Sequence, residues 1–257
     1  MIRWSVPSAM APTETPTKPP IGQAEGKREQ VEAMFDDIAP RYDLLNRVLS
    51  MGIDVWWRKR AVVFLGEALL DRPSALLDIA TGTGDLAIEA LSLNPEKIIG
   101  VDISEGMLNY GRKKLEQKGL SDRIELVHAD AADLPFDDGQ FDGAMAAFGV
   151  RNFEDLQAGL GDIRRVLKPG APLVILEFSH PRAFPIKQAY ELYSKHVLPR
   201  IGRTISKNEE AYTYLPESVA AFPDGEEFLR NMEAVGFTVT IAKPLTFGVM
   251  SLYRGRA

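Results

Sequence analysis

The 257-residue chain contains no cysteine and only three histidines, at positions 128, 180 and 196. The lack of cysteine excludes disulfide bonds, thiolate nucleophiles and zinc–thiolate sites. The three histidines do not have the spacing of metal ligands, so we predict no metal site.

Long apolar runs and an excess of positive charge are also missing. No run of about 18 apolar residues is present, so no helix is predicted to span a membrane. The N-terminus lacks the apolar core of a signal peptide, and we therefore expect a cytoplasmic protein. The formal net charge of −6 disfavours nucleic acid as a partner.

The chain does contain enough apolar material for a sizeable core, since 45% of its residues are hydrophobic. Residues 1–26 are rich in proline, threonine and alanine, and we predict that this tail is disordered. Residues 27–257 are expected to form a single domain, in which residues 27–70 form a helical N-terminal lid.

The segment from Tyr42 to Trp57 is unusual in this helical region, because aromatic and polar residues are interleaved over a short distance. One interpretation is a helical cap whose aromatic side chains simply pack on the sheet. The other is a lid over a ligand, with Tyr42, Asn46 and Asp54 facing inward. The pattern is compatible with both.

A glycine-rich turn organises the rest of the chain. A short apolar strand over residues 75–80 runs into Gly82, Thr83 and Gly84. A helix follows, and a second apolar strand ends at Asp102. This order is that of a nucleotide-binding βαβ unit. Glycine lets the main chain approach a ligand closely, and one carboxylate can accept hydrogen bonds from both ribose hydroxyls.

Acidic residues belong to three of the predicted parallel strands. Asp78, Asp102 and Asp130 are therefore expected to collect at one edge of the sheet, where ligands of such sheets bind. In the later part of the chain, strands are predicted over residues 123–129, 141–148, 173–178, 237–242 and 249–253. Helices are predicted over residues 105–118, 182–198, 208–222 and 224–236. The third of these helices is expected to break at Pro216, and the fourth to be capped by Asp224. The strand over 173–178 is interpreted as apolar and central, and the last two strands should pair antiparallel.

The βαβ unit alone leaves the nucleotide open, because Gly82-x-Gly84-x-x-Ala87 also matches the dinucleotide fingerprint of NAD-dependent oxidoreductases. The order of all the predicted elements, however, resembles that of the class I S-adenosylmethionine-dependent methyltransferases. The resemblance implies an α/β, Rossmann-like fold with a seven-stranded, mostly parallel sheet, an antiparallel last strand and helices on both faces. It also implies S-adenosylmethionine as the cofactor, with these contacts: Asp78, Gly82, Thr83 and Gly84 around its methionine part and ribose, Asp102 on the ribose, and Asp130 with Ala131 at the adenine.

Two longer signatures narrow the family. Residues 42–57 resemble the N-terminal signature of the ubiquinone/menaquinone biosynthesis C-methyltransferases, and residues 165–179 resemble their second signature. The stretch from Phe148 to Asn152 also fits this family. The chain departs from the first signature at Asp54, where a histidine is frequent.

The family resemblance implies C-methylation of a polyprenylated quinol, whose ring carbon becomes nucleophilic when the neighbouring hydroxyl loses its proton. Arg151 follows the fourth strand and is expected to stabilise the phenolate, with a salt bridge as its alternative role. Tyr42 and Asn46 are expected to orient the ring. The sequence identifies no general base, although His180 follows the fifth strand.

The acceptor expected from the resemblance is demethylmenaquinol, with a methoxylated benzoquinol precursor of ubiquinone as the alternative. Trp56, Trp57 and Phe148 are expected to provide stacking surface for the bicyclic ring. Two other hypotheses are an NAD-dependent oxidoreductase and a non-catalytic polyprenoid-binding module.

The predicted helix over residues 182–198 carries an apolar face of Ile186, Tyr190, Tyr193 and Val197. Because the implied acceptor carries an isoprenoid tail, this face is expected to touch a membrane surface peripherally or to line a channel for the tail. Its alternative role is packing on the sheet. The oligomeric state is left open.

Overall fold

The computed structural model describes residues 26–193, 196 and 209–257, without the side chains of residues 209–213. The predicted disordered tail, apart from residue 26, lies outside the described residues. So does most of the last turn of the predicted helix 182–198.

A single sheet organises the described chain. Its strands are β1 (Ala75–Ile79), β2 (Lys97–Asp102), β3 (Ile124–His128), β4 (Gly143–Ala147), β5 (Pro172–Phe178), β6 (Thr238–Leu245) and β7 (Met250–Arg256). The order across the sheet is β3-β2-β1-β4-β5-β7-β6. Strands β1 to β5 pair in parallel, whereas β7 is antiparallel to both β5 and β6. The predicted seven-stranded sheet with an antiparallel last strand is confirmed.

Helices cover both faces of this sheet, as predicted. They are α1 (Lys27–Ile38), α2 (Tyr42–Leu49), α3 (Ile53–Gly66), α4 (Asp85–Ala90), α5 (Glu105–Lys118), α6 (Leu156–Val166), α7 (Ile186–Leu192), α8 (Glu209–Ala221) and α9 (Glu226–Ala234). Successive residues of β1 point to opposite faces. Leu77 packs in a core with α6 and α9, whereas Leu76 packs in a core with α3, α4 and α5.

The N-terminal helices form a separate small core at the carboxyl edge of the parallel strands. Val31, Met34 and Leu45, from α1 and α2, pack there against Met107 of α5 and Tyr214 of α8. The amphipathic pattern of α1 therefore buries its apolar stripe against other helices and not against the sheet itself. No helix in the described part of the chain is long and apolar enough to cross a membrane.

Two predicted details of the C-terminal part are wrong. Helix α8 continues through Pro216, because the residues on both sides of the proline, Tyr214 and Val219, are anchored in the interior. Asp224 does not cap α9 with its side chain, and the helix begins after Gly225. The Asp224 carboxylate instead accepts the main-chain N–H of His180 at 2.6 Å, so a tertiary contact has replaced the local cap.

Candidate active site

The turn between β1 and α4 is held by the acid at the end of β2. Gly82 has a φ of 56°, and its N–H donates to Asp102 Oδ2 at 2.8 Å. Asp102 Oδ1 accepts the N–H of Ser104 at 2.9 Å. Burial raises the pKa of Asp102, while these two N–H groups oppose the rise. Each carboxylate oxygen keeps a second lone pair for a ligand.

A narrow cleft of about 80 Å³ runs beside this turn, between the strand ends and the N-terminal helices. Four of the residues predicted to bind the cofactor line it, namely Gly82, Asp102, Asp130 and Ala131. At its outer end, Arg28 of α1 forms an ion pair of 3.0 Å with Asp130.

The other three residues predicted to bind the cofactor, Asp78, Thr83 and Gly84, are not among the residues that line the cleft. Asp78 is fully buried, and its Oδ2 accepts the Thr81 hydroxyl at 2.6 Å. Burial raises the pKa of Asp78 to about 7. Thr83 donates to Asp43 of α2 at 2.6 Å, and Gly84, with a φ of 84°, is the N-cap residue just before α4. These three residues therefore stabilise the conformation of the turn.

A second, larger cavity of about 440 Å³ adjoins the cleft. Its walls come from α1, α2, α3, the end of β5, α7, α8 and the β6–β7 turn. They are almost entirely apolar or aromatic. Among the described lining residues, the polar exceptions are Asn46, Ser50 and Thr246 and the two charged residues Asp54 and Arg151, whose side chains are buried. Such a cavity fits a flat apolar molecule with few polar groups.

Tyr42 separates the cleft from the cavity. Its side chain lines both spaces, and so do those of Phe35 and Phe148. Burial raises the pKa of Tyr42, and a hydrogen bond with the Asn46 side chain opposes the rise, so the phenol stays protonated near neutral pH. Tyr42 and Asn46 therefore offer hydrogen-bonding groups where the two spaces meet.

Arg151 lies in the cavity wall, in a 3₁₀ turn after β4. Its Nη1 donates to Glu177 Oε1 at 2.9 Å and to the carbonyl of Phe148. Its Nε is buried and has no hydrogen-bond partner in the described part of the chain. The guanidinium also lies over the ring of Phe178, 5.3 Å from the ring centre. The partner Glu177 is completely buried, so Arg151 is not part of a surface salt bridge.

Sequence reasoning missed Glu177 because strand 173–178 was interpreted as apolar. The acid within that run, LVILEF, was the available signal. Tyr214 was missed as well. It lines the cavity and donates to the Asn152 side chain at 3.0 Å. Tyr214 lies in a helix far along the sequence, and its position there did not indicate that it would reach the cavity.

Other expectations for this region are resolved by the side-chain positions. Trp57 lines the cavity, but Trp56 does not and is half-exposed, because the two residues are adjacent on α3 and point in different directions. Asp54 is tied to Arg58 at 2.6 Å and to Ser50 at 2.7 Å. His180 lines neither space, and its ring lies 3.2 Å from Asp224.

The predicted apolar face of α7 is turned towards the cavity. Ile186, Tyr190 and Tyr193 line it, and the Tyr193 hydroxyl donates to the carbonyl of Leu49 at 2.6 Å. This contact closes the cavity wall between α7 and α2. Val197 lies outside the described residues.

Solved structures with this arrangement of strands share the fold. A SAM-dependent methyltransferase from Thermotoga maritima aligns with a TM-score of 0.58 at 21% identity, over 87% of this chain and 98% of that one. One from Aquifex aeolicus aligns with a TM-score of 0.53 at 20% identity, over 76% and 88%. Sheet order, glycine turn and terminal acid are those of the class I S-adenosylmethionine-dependent methyltransferase fold.

Sequence comparison identifies the family. The profile of the ubiE/COQ5 methyltransferase family matches residues 23–257, and the chain belongs to this family. The demethylmenaquinone methyltransferase of Bacteroides fragilis is 50% identical over 228 residues, 88% of this chain and 92% of that protein. That of Deinococcus radiodurans is 48% identical over 93% and 97%. The ubiquinone/menaquinone biosynthesis C-methyltransferase UbiE of Geobacter sulfurreducens is 46% identical over 89% of each chain. The NAD-dependent oxidoreductase hypothesis is therefore wrong.

Proposed function

We propose that this protein methylates a ring carbon of demethylmenaquinol, using S-adenosylmethionine and producing menaquinol. The observation that carries the proposal is the junction at Tyr42 between a cleft beside the Asp102 turn and a large apolar cavity. The polar groups of the cleft suit a charged, nucleoside-containing donor, and the apolar cavity suits a quinol. Relatives that are close to half identical bear the name demethylmenaquinone methyltransferase.

The cleft residues are suited to the donor. Asp102 presents a carboxylate for ribose hydroxyls, and Asp130 with Ala131 lies at the next strand end, where the adenine is expected. A Cβ on Gly82 would extend to 3.8 Å from Tyr42 Cε1 and fill the space between the turn and α2. S-adenosylmethionine supplies an electrophilic methyl group. The protein's task is to bring the acceptor carbon into line with it.

The cavity residues are suited to a quinol that must lose a proton. The ring packs against the cluster formed by the aromatic side chains of Trp57, Phe148 and Phe178. One acceptor oxygen then faces Arg151, whose guanidinium stabilises the phenolate that activates the neighbouring carbon. Tyr42 donates a hydrogen bond and fixes the ring at the junction.

No free base lines the cavity among the described residues, since the Asp54 carboxylate is committed to Arg58 and Ser50. We therefore assign removal of the hydroxyl proton to solvent, made easier by the charge of Arg151. Once methylated, the ring carbon loses its hydrogen to solvent as the hydroxyl regains a proton, so that one proton is released in total. The apolar face of α7 gives the isoprenoid tail a wall along which to leave the ring site.

The proposal is tested by offering the purified enzyme each quinol separately, in detergent, with reductant and S-adenosylmethionine carrying a labelled methyl group. Label should enter the naphthoquinol faster than the methoxylated benzoquinol. Faster methylation of the benzoquinol would assign the enzyme to the ubiquinone branch. Absence of label in both would favour a non-catalytic polyprenoid-binding module.

A further inference from the structure

The mouth of the large cavity is formed by two apolar side chains that point into solvent. Met51, between α2 and α3, is 79% exposed, and Phe247, in the β6–β7 turn, is 78% exposed. Both residues nevertheless line the cavity, so they stand at its rim. Large apolar side chains at such exposure, next to an apolar opening, mark an interaction surface.

Both rim residues have an unfavourable backbone conformation. The φ angle is 54° at Met51 and 57° at Phe247, in the left-handed region that residues other than glycine and asparagine avoid. The Phe247 turn is nevertheless fixed, because Trp57 Nε1 donates to Thr246 Oγ1 at 2.7 Å. Strain of this kind is retained where the position of the side chain matters.

Helix α2 extends the rim along the surface. Leu44 and Val48 are one helical turn apart on its outer face, and they are 57% and 39% exposed. Leu45 is buried, and Asn46 and Leu49 line the cavity, so α2 presents apolar side chains outward as well as inward. We call Leu44, Val48, Met51 and Phe247 the apolar rim.

The charges around the rim permit contact with lipid. The acid of α2, Asp43, is held by Lys114 at 2.6 Å, and Asp54 at the start of α3 is held by Arg58. The basic residue of α2, Arg47, lies 3.4 Å from the Asp54 carboxylate and keeps 44% of its side chain exposed. No unpaired carboxylate of α2 or of the first turn of α3 would therefore have to be dehydrated or brought against anionic headgroups.

We propose that the apolar rim docks the enzyme on the surface of a lipid bilayer and places the cavity mouth against it. The inference rests on the proposed function, because a quinol with an isoprenoid tail resides in the bilayer and must enter the cavity from there. The outer stripe of α2 and Phe247 would lie at the boundary between headgroups and acyl chains. The tail could then remain in the membrane while only the ring enters the protein.

The test replaces the two most exposed residues of the apolar rim by asparagine, in the variant Met51→Asn/Phe247→Asn. Asparagine tolerates a positive φ, so the substitutions remove the apolar groups without adding backbone strain. Val239→Asn is the matched control, because Val239 is 70% exposed with a φ of 51° and does not line the cavity. Each full-length protein is sedimented with phosphatidylethanolamine/phosphatidylglycerol vesicles.

The wild type and Val239→Asn should sediment with the vesicles, and the double variant should bind roughly tenfold or more weakly. Turnover is measured once with quinol held in vesicles and once with quinol in detergent. The ratio of the vesicle rate to the detergent rate should fall in the double variant, and it should stay unchanged in Val239→Asn. Unchanged sedimentation of the double variant would overturn the inference. So would a wild type that ignores vesicles but self-associates through the rim, which would assign the surface to a second copy.

The two proposals fail separately in this experiment. If the protein binds vesicles through the apolar rim but methylates neither quinol, the proposed function is wrong and the docking inference still holds. Methylation in detergent by a protein that never binds vesicles would remove the docking inference alone.

Discussion

The ammonium of Lys114 lies 2.6 Å from the carboxylate of Asp43 and thereby joins α5 to α2. The same ammonium donates to Thr83 at 2.8 Å and to Asp85 at 2.9 Å, both at the glycine turn. Asp43 is adjacent to Tyr42, which separates the two ligand spaces. One lysine thus connects α2 to the glycine turn.

Lys114→Met should loosen α2 against the turn, because Asp43 and Asp85 would lose their shared cation. We expect a roughly tenfold loss of kcat/KM for the quinol and a destabilisation of about 1 kcal/mol, since the carboxylates are partly exposed. Hydrogen exchange of the α2 amides should accelerate. The exposed neighbour Lys113 provides the control, and Lys113→Met should leave exchange and turnover unchanged. Equal exchange in both variants would show that Lys114 does not hold the lid.

Local patterns predicted the sheet well, because each parallel strand is a short apolar run that ends at a turn. Ser104 caps α5, and its hydroxyl accepts the N–H of Met107. Sequence reasoning failed where a distant partner decides the outcome. The Asp224 carboxylate binds His180 and Arg182, which are far away in the sequence. Pro216 is tolerated within α8 because its neighbours are buried.

Contacts between distant residues also limited what could be predicted of the candidate site. The motifs placed Gly82, Asp102, Asp130 and Ala131 around one cleft, because parallel strands deliver their carboxyl ends to the same edge. They picked out single residues of the cavity wall, such as Tyr42, Trp57 and Arg151, but not how helices distant in sequence come together to enclose it. Contacts such as that of Lys114 with Asp43 join residues 71 positions apart, and periodicity does not encode them.

Gly149 and Ala80 form a complementary pair at the cofactor cleft. A Cβ on Gly149 would lie 2.3 Å from the Cβ of Ala80, and the next contact would be at 3.7 Å. Gly149→Ala should therefore cost about 1–3 kcal/mol of unfolding free energy and weaken binding of S-adenosylmethionine. Ala80→Gly removes the clashing atom, and glycine suits the φ of 50° at position 80. The double variant should regain most of the stability in urea unfolding, whereas additive losses would contradict this geometry.

The ribose assignment of Asp102 predicts a binding defect. Asp102→Ala should weaken S-adenosylmethionine binding by roughly 30–150-fold, as expected for the loss of about 2–3 kcal/mol of charge-assisted hydrogen bonds. Isothermal titration calorimetry measures the affinity. Because Asp102 also holds Gly82 and Ser104, thermal unfolding must show that the variant is folded. Unchanged affinity would place the ribose elsewhere.

Asp78 should make stability depend on pH. Its pKa is about 7 in the folded protein, against 3.8 as the ordinary value, because burial disfavours the carboxylate. The folded state therefore holds a proton that the unfolded chain has lost, and stability falls as the pH rises from about 4 through 7. Asp78→Asn should gain at most about 4 kcal/mol over the wild type at pH 8 and little at pH 4. Urea midpoints across this range test the effect, and parallel pH curves would disprove it.

Arg151 should lower the pKa of the acceptor hydroxyl without contributing to binding of the methyl donor. Its removal alone leaves the buried Glu177 unpaired and destabilises the fold, so the informative variant is Arg151→Gln/Glu177→Gln, which replaces the ion pair by two amides. We expect kcat to fall by about two orders of magnitude with unchanged affinity for S-adenosylmethionine. The rise of kcat with pH should move to higher pH by about 1–3 units, because no guanidinium then stabilises the phenolate. Glu177→Gln is the control, since it keeps the guanidinium and removes the carboxylate that opposes it, so its rise of kcat with pH should not move to higher pH, with lower stability. A folded double variant with the wild-type pH profile would exclude Arg151 from phenolate stabilisation, whatever its turnover.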